Sequence, residues 1–112
     1  RYGEYNWLRK KFLELPIVPD AFVCANDSIA INLLSILQDL GHKIPTNIQV
    51  IGFDNVIEAE FSKPKLTTVN TPKEIMGQDA IDLLINRLNH KQSTPRTIYV
   101  DTQIMYRNST RL

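Results

Sequence analysis

The stretch AFVCANDSIAINLL, residues 21–34, changes from a strand-like pattern to a helix-like pattern at two polar residues. Residues 21–25 are a short apolar run between turn-forming residues, which is typical of a buried strand. Over residues 28–40, Ile29, Leu33 and Leu37 recur at every fourth position and predict a helix. Asn26 and Asp27 lie at the junction, where they either cap the helix or form the floor of a binding site.

The same arrangement recurs in QVIGFDN, residues 49–55, where Asp54 and Asn55 follow a second β-rich run. The remaining spacing predicts two further helices, over residues 3–15 and 71–89, and Thr71 is the expected cap of the second. It also predicts strands over residues 66–69 and within residues 97–106, whereas residues 56–61 are ambiguous. Strands separated by helix-length connections imply βαβ units and a mostly parallel sheet. Ligands of such sheets gather outside the carboxyl ends of the strands, which is where both Asp/Asn pairs lie.

The composition is that of one ordinary globular domain, with 112 residues, 43% hydrophobic residues and a formal net charge of +1. This charge gives no global electrostatic argument for a nucleic-acid or membrane partner. No apolar run has the length needed to span a bilayer. The one cysteine, Cys24, lies inside an apolar run and is expected to be a buried, reduced thiol, which favours a cytoplasmic location.

The usual catalytic and cofactor signatures are absent from the sequence. It has no nucleophile elbow and no phosphate-binding glycine loop, and neither His42 nor His90 neighbours a nucleophile motif. One cysteine and two scattered histidines do not make a zinc site, and we expect no cofactor. An acid–base pair of Asp27 and Asp54 is one alternative. A site for a polyhydroxylated ligand demands less, because it needs only fixed carboxylates and amides. The residues favour Asp27 as the helix cap and Asn26 as a ligand contact, and leave Asp54 open between the two roles.

Four blocks of this sequence together resemble one known family. They are PDAFVCANDSIAI, IPTNIQVIGFDN, PKLTTVNTPKEIMGQDAIDLLI and YRNST, and they span residues 19–110. Their order and spacing are similar to the C-terminal third of the LacI/GalR family of bacterial transcription regulators. The resemblance implies an α/β fold of the periplasmic-binding-protein-like type I, a three-layer αβα arrangement with a mostly parallel sheet. It also implies that the fold is incomplete here, as a C-terminal fragment.

The resemblance further implies a small-molecule effector, either a sugar or a nucleobase-like compound, that binds between two subdomains. By position, the family's effector contacts fall on Asn26 and Asp54. The family dimerises through the helix after the first Asp/Asn pair and the segment after the second. That position implicates a set of four apolar residues: Ile31, Phe61, Leu34 and Ile57.

The chain of this family crosses twice between its subdomains, which divides the sequence into three parts. Residues 1–70 are expected in the C-terminal effector-binding subdomain, residues 71–102 in the N-terminal subdomain, and residues 103–112 as the return strand and tail. The expected protein is a cytoplasmic, non-enzymatic, homodimeric repressor without a membrane partner. It would reach operator DNA through an N-terminal helix-turn-helix that this sequence does not contain. The alternative is a part of a secreted sugar-binding protein that serves a transporter.

Overall fold

The computed structural model describes residues 2–111. In chain order the elements are α1 (Tyr2–Leu13), β1 (Ala21–Val23), α2 (Asp27–Asp39), β2 (Gln49–Asp54), the 3₁₀ helix η1 (Ile57–Glu60), β3 (Thr67–Asn70), α3 (Lys73–Asn89) and β4 (Gln103–Met105). The chain divides into two compact units. The first contains the described residues up to Asn70 and those from Ile104 onward, and the second contains Thr71–Gln103.

The strands form one sheet in the order β1-β2-β3-β4. β1 and β2 pair in parallel, and so do β2 and β3, whose last pair is Asp54 opposite Asn70. The predicted parallel pairing is therefore confirmed for these three strands, and β1, α2 and β2 form a βαβ unit. Their carboxyl ends lie at the same edge of the sheet, which brings the loops after β1 and β2 together.

Among the described residues, helix α2 supplies more of the core of the first unit than any other element does. Ala30, Leu33, Ile36 and Leu37 are at most 4% exposed and belong to one cluster with Val50 of β2. Burying each of the larger side chains contributes about 1.5–3 kcal/mol relative to leaving it in water. The amphipathic pattern of Ile29, Leu33 and Leu37 thus predicted the helix, and Leu33 and Leu37 pack in the core as the pattern indicated.

Cys24 is buried at the end of β1, and its thiol is free. The prediction that Cys24 is buried is confirmed. Burial, and secondarily the charge of Asp27, raise the pKa of the Cys24 thiol from its ordinary value of 9.0 to about 11.

Two local predictions are wrong. Ile29 is 38% exposed, because α2 begins at Asp27 and turns Ala30 rather than Ile29 toward the sheet. Thr71 does not cap α3: the N-cap position is Pro72, whose φ of −74° and ψ of 78° are not yet helical, and no side chain caps this end. The ambiguous segment 56–61 contains the 3₁₀ helix η1.

The second unit contains α3, a helix of 17 residues without a buried residue. Several of its large apolar side chains are exposed: Ile75, Met76, Ile81, Leu84, Ile85 and Leu88. Across residues 2–111, no helix combines the length and the apolar character that a bilayer crossing requires.

Gly52 lies where the surrounding atoms leave no space for a side chain. A Cβ at this position would lie 2.1 Å from Asp27 Oδ1 and 2.9 Å from Leu66 Cδ2. We expect Gly52→Ala to lower the free energy of unfolding by about 2–4 kcal/mol, because overpacking here also displaces a hydrogen-bonded, buried carboxylate. Urea denaturation measures the loss. Gly3→Ala is the control, since a Cβ on Gly3 meets nothing within 4 Å, and equal stability of the two variants would contradict the prediction.

The raised pKa of Cys24 predicts a pH dependence of stability. Below pH 9 the thiol is protonated in both the folded and the unfolded state, and the contribution of the buried thiol to the free energy of unfolding is fully present. Between pH 9 and 11 the unfolded state loses the proton first, so this contribution is lost. We therefore expect the free energy of unfolding to fall more steeply over this window in the wild type than in Cys24→Ala. Urea unfolding at several pH values measures both slopes, and parallel curves would refute the assignment.

Candidate functional site

Of the two polar residues after β1, the structure assigns the helix cap to Asn26 and not to Asp27. Asn26 is the N-cap of α2, since its Oδ1 accepts a hydrogen bond of 2.9 Å from the backbone N–H of Ile29. The prediction that Asp27 caps α2 is wrong, because the amide one residue earlier takes this position. Asn26 is half-buried, and an amide that accepts through its oxygen keeps two N–H donors. Its role as an effector contact stays a prediction.

Asp27 is an internal connection between three elements. Its carboxylate is fully buried; Oδ1 accepts a hydrogen bond of 2.6 Å from Thr68 Oγ1, and Oδ2 accepts one of 2.9 Å from the backbone N–H of Val56. Its place in the first turn of α2 adds the favourable field of the helix N-terminus. A carboxylate that is fully buried and bonded through both oxygens does not reach a substrate. The structure therefore gives no support to an acid–base pair of Asp27 with Asp54.

Asp54 ends β2 in a backbone conformation that is rare for residues other than glycine. Its φ is +119°, and the φ of Asn55 is +54°. Asparagine tolerates the left-handed region, whereas the φ of Asp54 costs on the order of 1–3 kcal/mol. Asp54 is half-buried and lies opposite Asn70 in the last pair of β2 and β3. Such strain clusters at functional sites, which favours Asp54 as a ligand contact, although this role too stays a prediction.

Three further residues form or surround the turn after β2: Asn55, Asn70 and Arg107. The sequence analysis noted Asn55 as part of a polar pair without choosing it as a ligand contact, and it did not consider Asn70 or Arg107 for the site. Asn55 Nδ2 donates a hydrogen bond of 2.9 Å to Asn70 Oδ1, and Arg107 Nη2 donates one of 2.8 Å to Asn55 Oδ1. Asn70 carried a usable signal, because it too is a polar residue directly after a β-rich run. Arg107 carried no local signal, since its partner Asn55 lies 52 residues earlier in the chain.

The carboxyl edge of the sheet thus presents a carboxylate, several amides and a guanidinium. Groups of this kind form bidentate hydrogen bonds with adjacent hydroxyls or with the edge of a nitrogen heterocycle. Among the residues of 2–111, no group of three or more His, Cys, Asp or Glu residues is arranged to hold a metal ion. The chemistry that this edge supports is the binding of a polar organic molecule.

The four residues predicted at a dimer interface lie in different environments. Phe61 is 72% exposed and Ile57 is 65% exposed, so both present apolar surface beside η1. Ile31 is half-buried and packs against the core. Leu34 needs correction: it is 2% exposed and belongs to the core, because it lies on the side of α2 that faces the sheet.

Comparison with known proteins agrees with this architecture. The sequence pattern of the periplasmic binding protein-like domain family matches residues 2–110. The HTH-type transcriptional repressor PurR of Vibrio campbellii (strain ATCC BAA-1116) is 40% identical over 91 residues, which make up 81% of this chain and 27% of that protein. The chain therefore spans about a quarter of the length of this relative.

Two solved structures are similar over almost the whole chain. A LacI-type transcription regulator from Bifidobacterium animalis subsp. lactis DSM 10140 superimposes with a TM-score of 0.86 at 33% identity, covering 97% of this chain and 39% of that one. The transcriptional regulator CelR, in a complex with cellobiose, superimposes with a TM-score of 0.85 at 30% identity, covering 96% of this chain and 33% of that one. These similarities confirm the predicted fold class, and they favour a transcription regulator over a transporter's binding protein.

Because Asp54 is strained, we expect glycine to be more stable than alanine at this position, which is the reverse of the order in an ordinary strand. Both Asp54→Gly and Asp54→Ala remove the carboxylate, but only alanine keeps a Cβ at a φ of +119°. We expect Asp54→Gly to be the more stable by about 1 kcal/mol, although glycine in a strand is ordinarily less stable than alanine by about 0.5–1 kcal/mol. Urea denaturation measures the difference. At the exposed Asp20 we expect the ordinary order, with alanine the more stable, and the same order at both positions would argue against strain at Asp54.

Proposed function

The chain belongs to the LacI/GalR family of bacterial transcription regulators, and on that premise we propose that it is the effector-sensing and dimer-forming portion of a DNA-binding repressor. The observation that carries this proposal is the strained Asp54 at the carboxyl edge of a parallel sheet, in a chain of this family. The effector is a sugar or a nucleobase-like metabolite.

The effector site that we propose is formed by Asp54 and Asn26. The carboxylate of Asp54 accepts hydrogen bonds from ligand hydroxyls or N–H groups, and the Nδ2 of Asn26 donates to a ligand oxygen. Asn26 follows β1 and Asp54 ends β2, and since these strands are parallel neighbours the two residues lie at the same edge of the sheet. The cellobiose complex of the similar regulator CelR supports a sugar as one class of ligand.

A homodimer is the assembly that we propose. Phe61 and Ile57 support it, because large apolar side chains exposed to this degree in one short segment are typical of an interface. Ile31 lines a groove of about 290 Å³ together with Val56 and Glu58, and thereby extends the same surface onto α2. Leu34 is no part of this proposal, since it is buried within the chain.

Residues 71–102 are assigned in this proposal to the N-terminal subdomain of the complete protein. The lack of a buried residue in α3 supports the assignment, because a helix with a wide apolar side requires a partner to bury it. The chain covers 27% of the similar repressor PurR, and a protein of that length has further residues that can bury the apolar side of α3.

Regulation is proposed to act through the relative movement of subdomains. Binding of the effector at Asp54 closes the two subdomains, the closure changes the orientation of the two protomers, and this alters the spacing of the DNA-binding heads. The heads are helix-turn-helix domains outside this chain, and operator DNA is reached in the cytoplasm. The protein performs no catalysis in this mechanism.

Ligand binding by the full-length protein tests the proposed function. The probes are cellobiose, glucose, ribose and guanine, and isothermal titration calorimetry with operator-DNA binding provides the two readouts. We expect at least one probe to bind and to change the affinity for operator DNA. If none of the four probes binds and operator DNA is not recognised, the proposal fails.

Substitution of Asp54 tests the proposed site. We expect Asp54→Ala to weaken binding of the active probe about 10- to 150-fold, because a hydrogen bond to a charged group contributes about 1.5–3 kcal/mol. The affinity for operator DNA without the probe should stay within about twofold, since the substitution changes the difference between two states rather than the DNA-binding head. The matched control is Asp20→Ala, an exposed carboxylate before the amino end of β1. Normal probe binding by Asp54→Ala would remove Asp54 from the site.

A further inference from the structure

Arg107 is the most extensively bonded side chain near the candidate site that the proposed function does not use. Its side chain is only 12% exposed. Nη1 donates a hydrogen bond of 2.9 Å to the carbonyl oxygen of Leu66, and Nη2 donates one of 2.8 Å to Asn55 Oδ1. The backbone N–H of Arg107 donates to Thr67 Oγ1 at 2.9 Å. Arg107 is thus anchored at the start of β3 and reaches across to the end of β2.

Asn55, the partner of this guanidinium, is held at both ends of its side chain. Its Nδ2 donates to Asn70 Oδ1, its Oδ1 accepts from Arg107, and its backbone N–H donates to Thr68 Oγ1 at 3.2 Å. These bonds fix a residue with a φ of +54° that directly follows the strained Asp54. The Asp54–Asn55 turn, meaning these two residues, keeps its unusual conformation only because the surrounding bonds determine it.

We propose that Arg107 is a positioning residue for Asp54: by holding Asn55, its guanidinium keeps the Asp54–Asn55 turn in the conformation that presents the Asp54 carboxylate to the effector. Positioning lowers the ordering cost of binding, because a loop already held in its bound conformation loses less entropy with the ligand. The effector part of this statement rests on the proposed function. The ordering of the turn by Arg107 does not.

The geometry assigns this role to the planar fork of arginine rather than to positive charge alone. The two η nitrogens reach acceptors on two segments, Leu66 and Asn55, at the same time. A lysine ammonium is a single point charge and cannot reproduce this pair. The ion pair with Glu60 is looser, at 3.7 Å, and the Glu60 side chain is 56% exposed, so it contributes little.

Hydrogen exchange in the full-length protein tests the ordering of the turn without any ligand. The probe amides are those of Asn55 and Val56, which are bonded to Thr68 Oγ1 and Asp27 Oδ2. We expect Arg107→Met and Arg107→Lys to speed exchange at these amides about tenfold, because local opening no longer breaks a charge-assisted hydrogen bond. Exchange in the core of α2 should change little.

Arg111→Met is the matched control, because Arg111 lies on the same segment and bonds the carbonyl oxygens of Pro45 and Thr46 instead. It should leave exchange at Asn55 and Val56 unchanged. If Arg107→Met also leaves these amides unchanged, or if Arg107→Lys restores normal exchange, the proposal is overturned. A uniform rise in exchange over the whole first unit would likewise overturn it, since Arg107 would then only stabilise the fold.

Probe binding provides the second arm, with the active probe among cellobiose, glucose, ribose and guanine. We expect Arg107→Met to raise its Kd about tenfold in the wild-type background, and by less than about twofold when Asp54 is already alanine. An equal effect in both backgrounds would show that Arg107 does not act through Asp54. If no probe binds the wild type and operator DNA is not recognised either, the proposed function fails, while the exchange experiment still decides whether Arg107 holds the turn.

Discussion

The buried carboxylate of Asp27 is the interaction on which the rest of the structure depends. It joins the start of α2 to β3 through Thr68 and to the segment after β2 through the backbone N–H of Val56. A fully buried charge is tolerated only when its oxygens are bonded, and here both are. The close packing of Gly52 under this carboxylate follows from the same requirement, because any side chain there would occupy the space of Oδ1.

Thr68 transmits this constraint from the core to the edge of the sheet. Its hydroxyl donates to Asp27 Oδ1 and accepts from the backbone N–H of Asn55, so one side chain serves the buried carboxylate and the strained turn together. Asn55 in turn bonds Asn70 and Arg107. The network is continuous from the interior to the residue next to Asp54. A strained conformation can persist at Asp54 because the bonds on its neighbour over-determine it.

The sequence predicted those features that repeat along the chain and missed those that depend on distant partners. Strands and helices followed from local periodicity and the parallel order from the lengths of the connections, and α2 packs through Leu33 and Leu37 as its apolar spacing indicated. The role of Arg107 depends on a partner 52 residues away, for which periodicity has no signal. The error at Asn26 and Asp27 had a different origin, since either residue is a good N-cap and only the packing against β3 decides between them.

The two polar pairs, Asn26–Asp27 and Asp54–Asn55, are bonded to β3 in a similar way, although the acid and the amide stand in opposite order. In each pair the second side chain is bonded to β3 or its end: Asp27 to Thr68, and Asn55 to Asn70. The first residue in each pair is half-buried at the edge of the sheet and precedes the bonded one. Under the proposed function, the residue bonded to β3 or its end differs in each pair from the residue proposed to contact the effector. A change of proposed contact residue would then leave the bonds to β3 in place, which is the arrangement expected of a fold that serves regulators with different ligands.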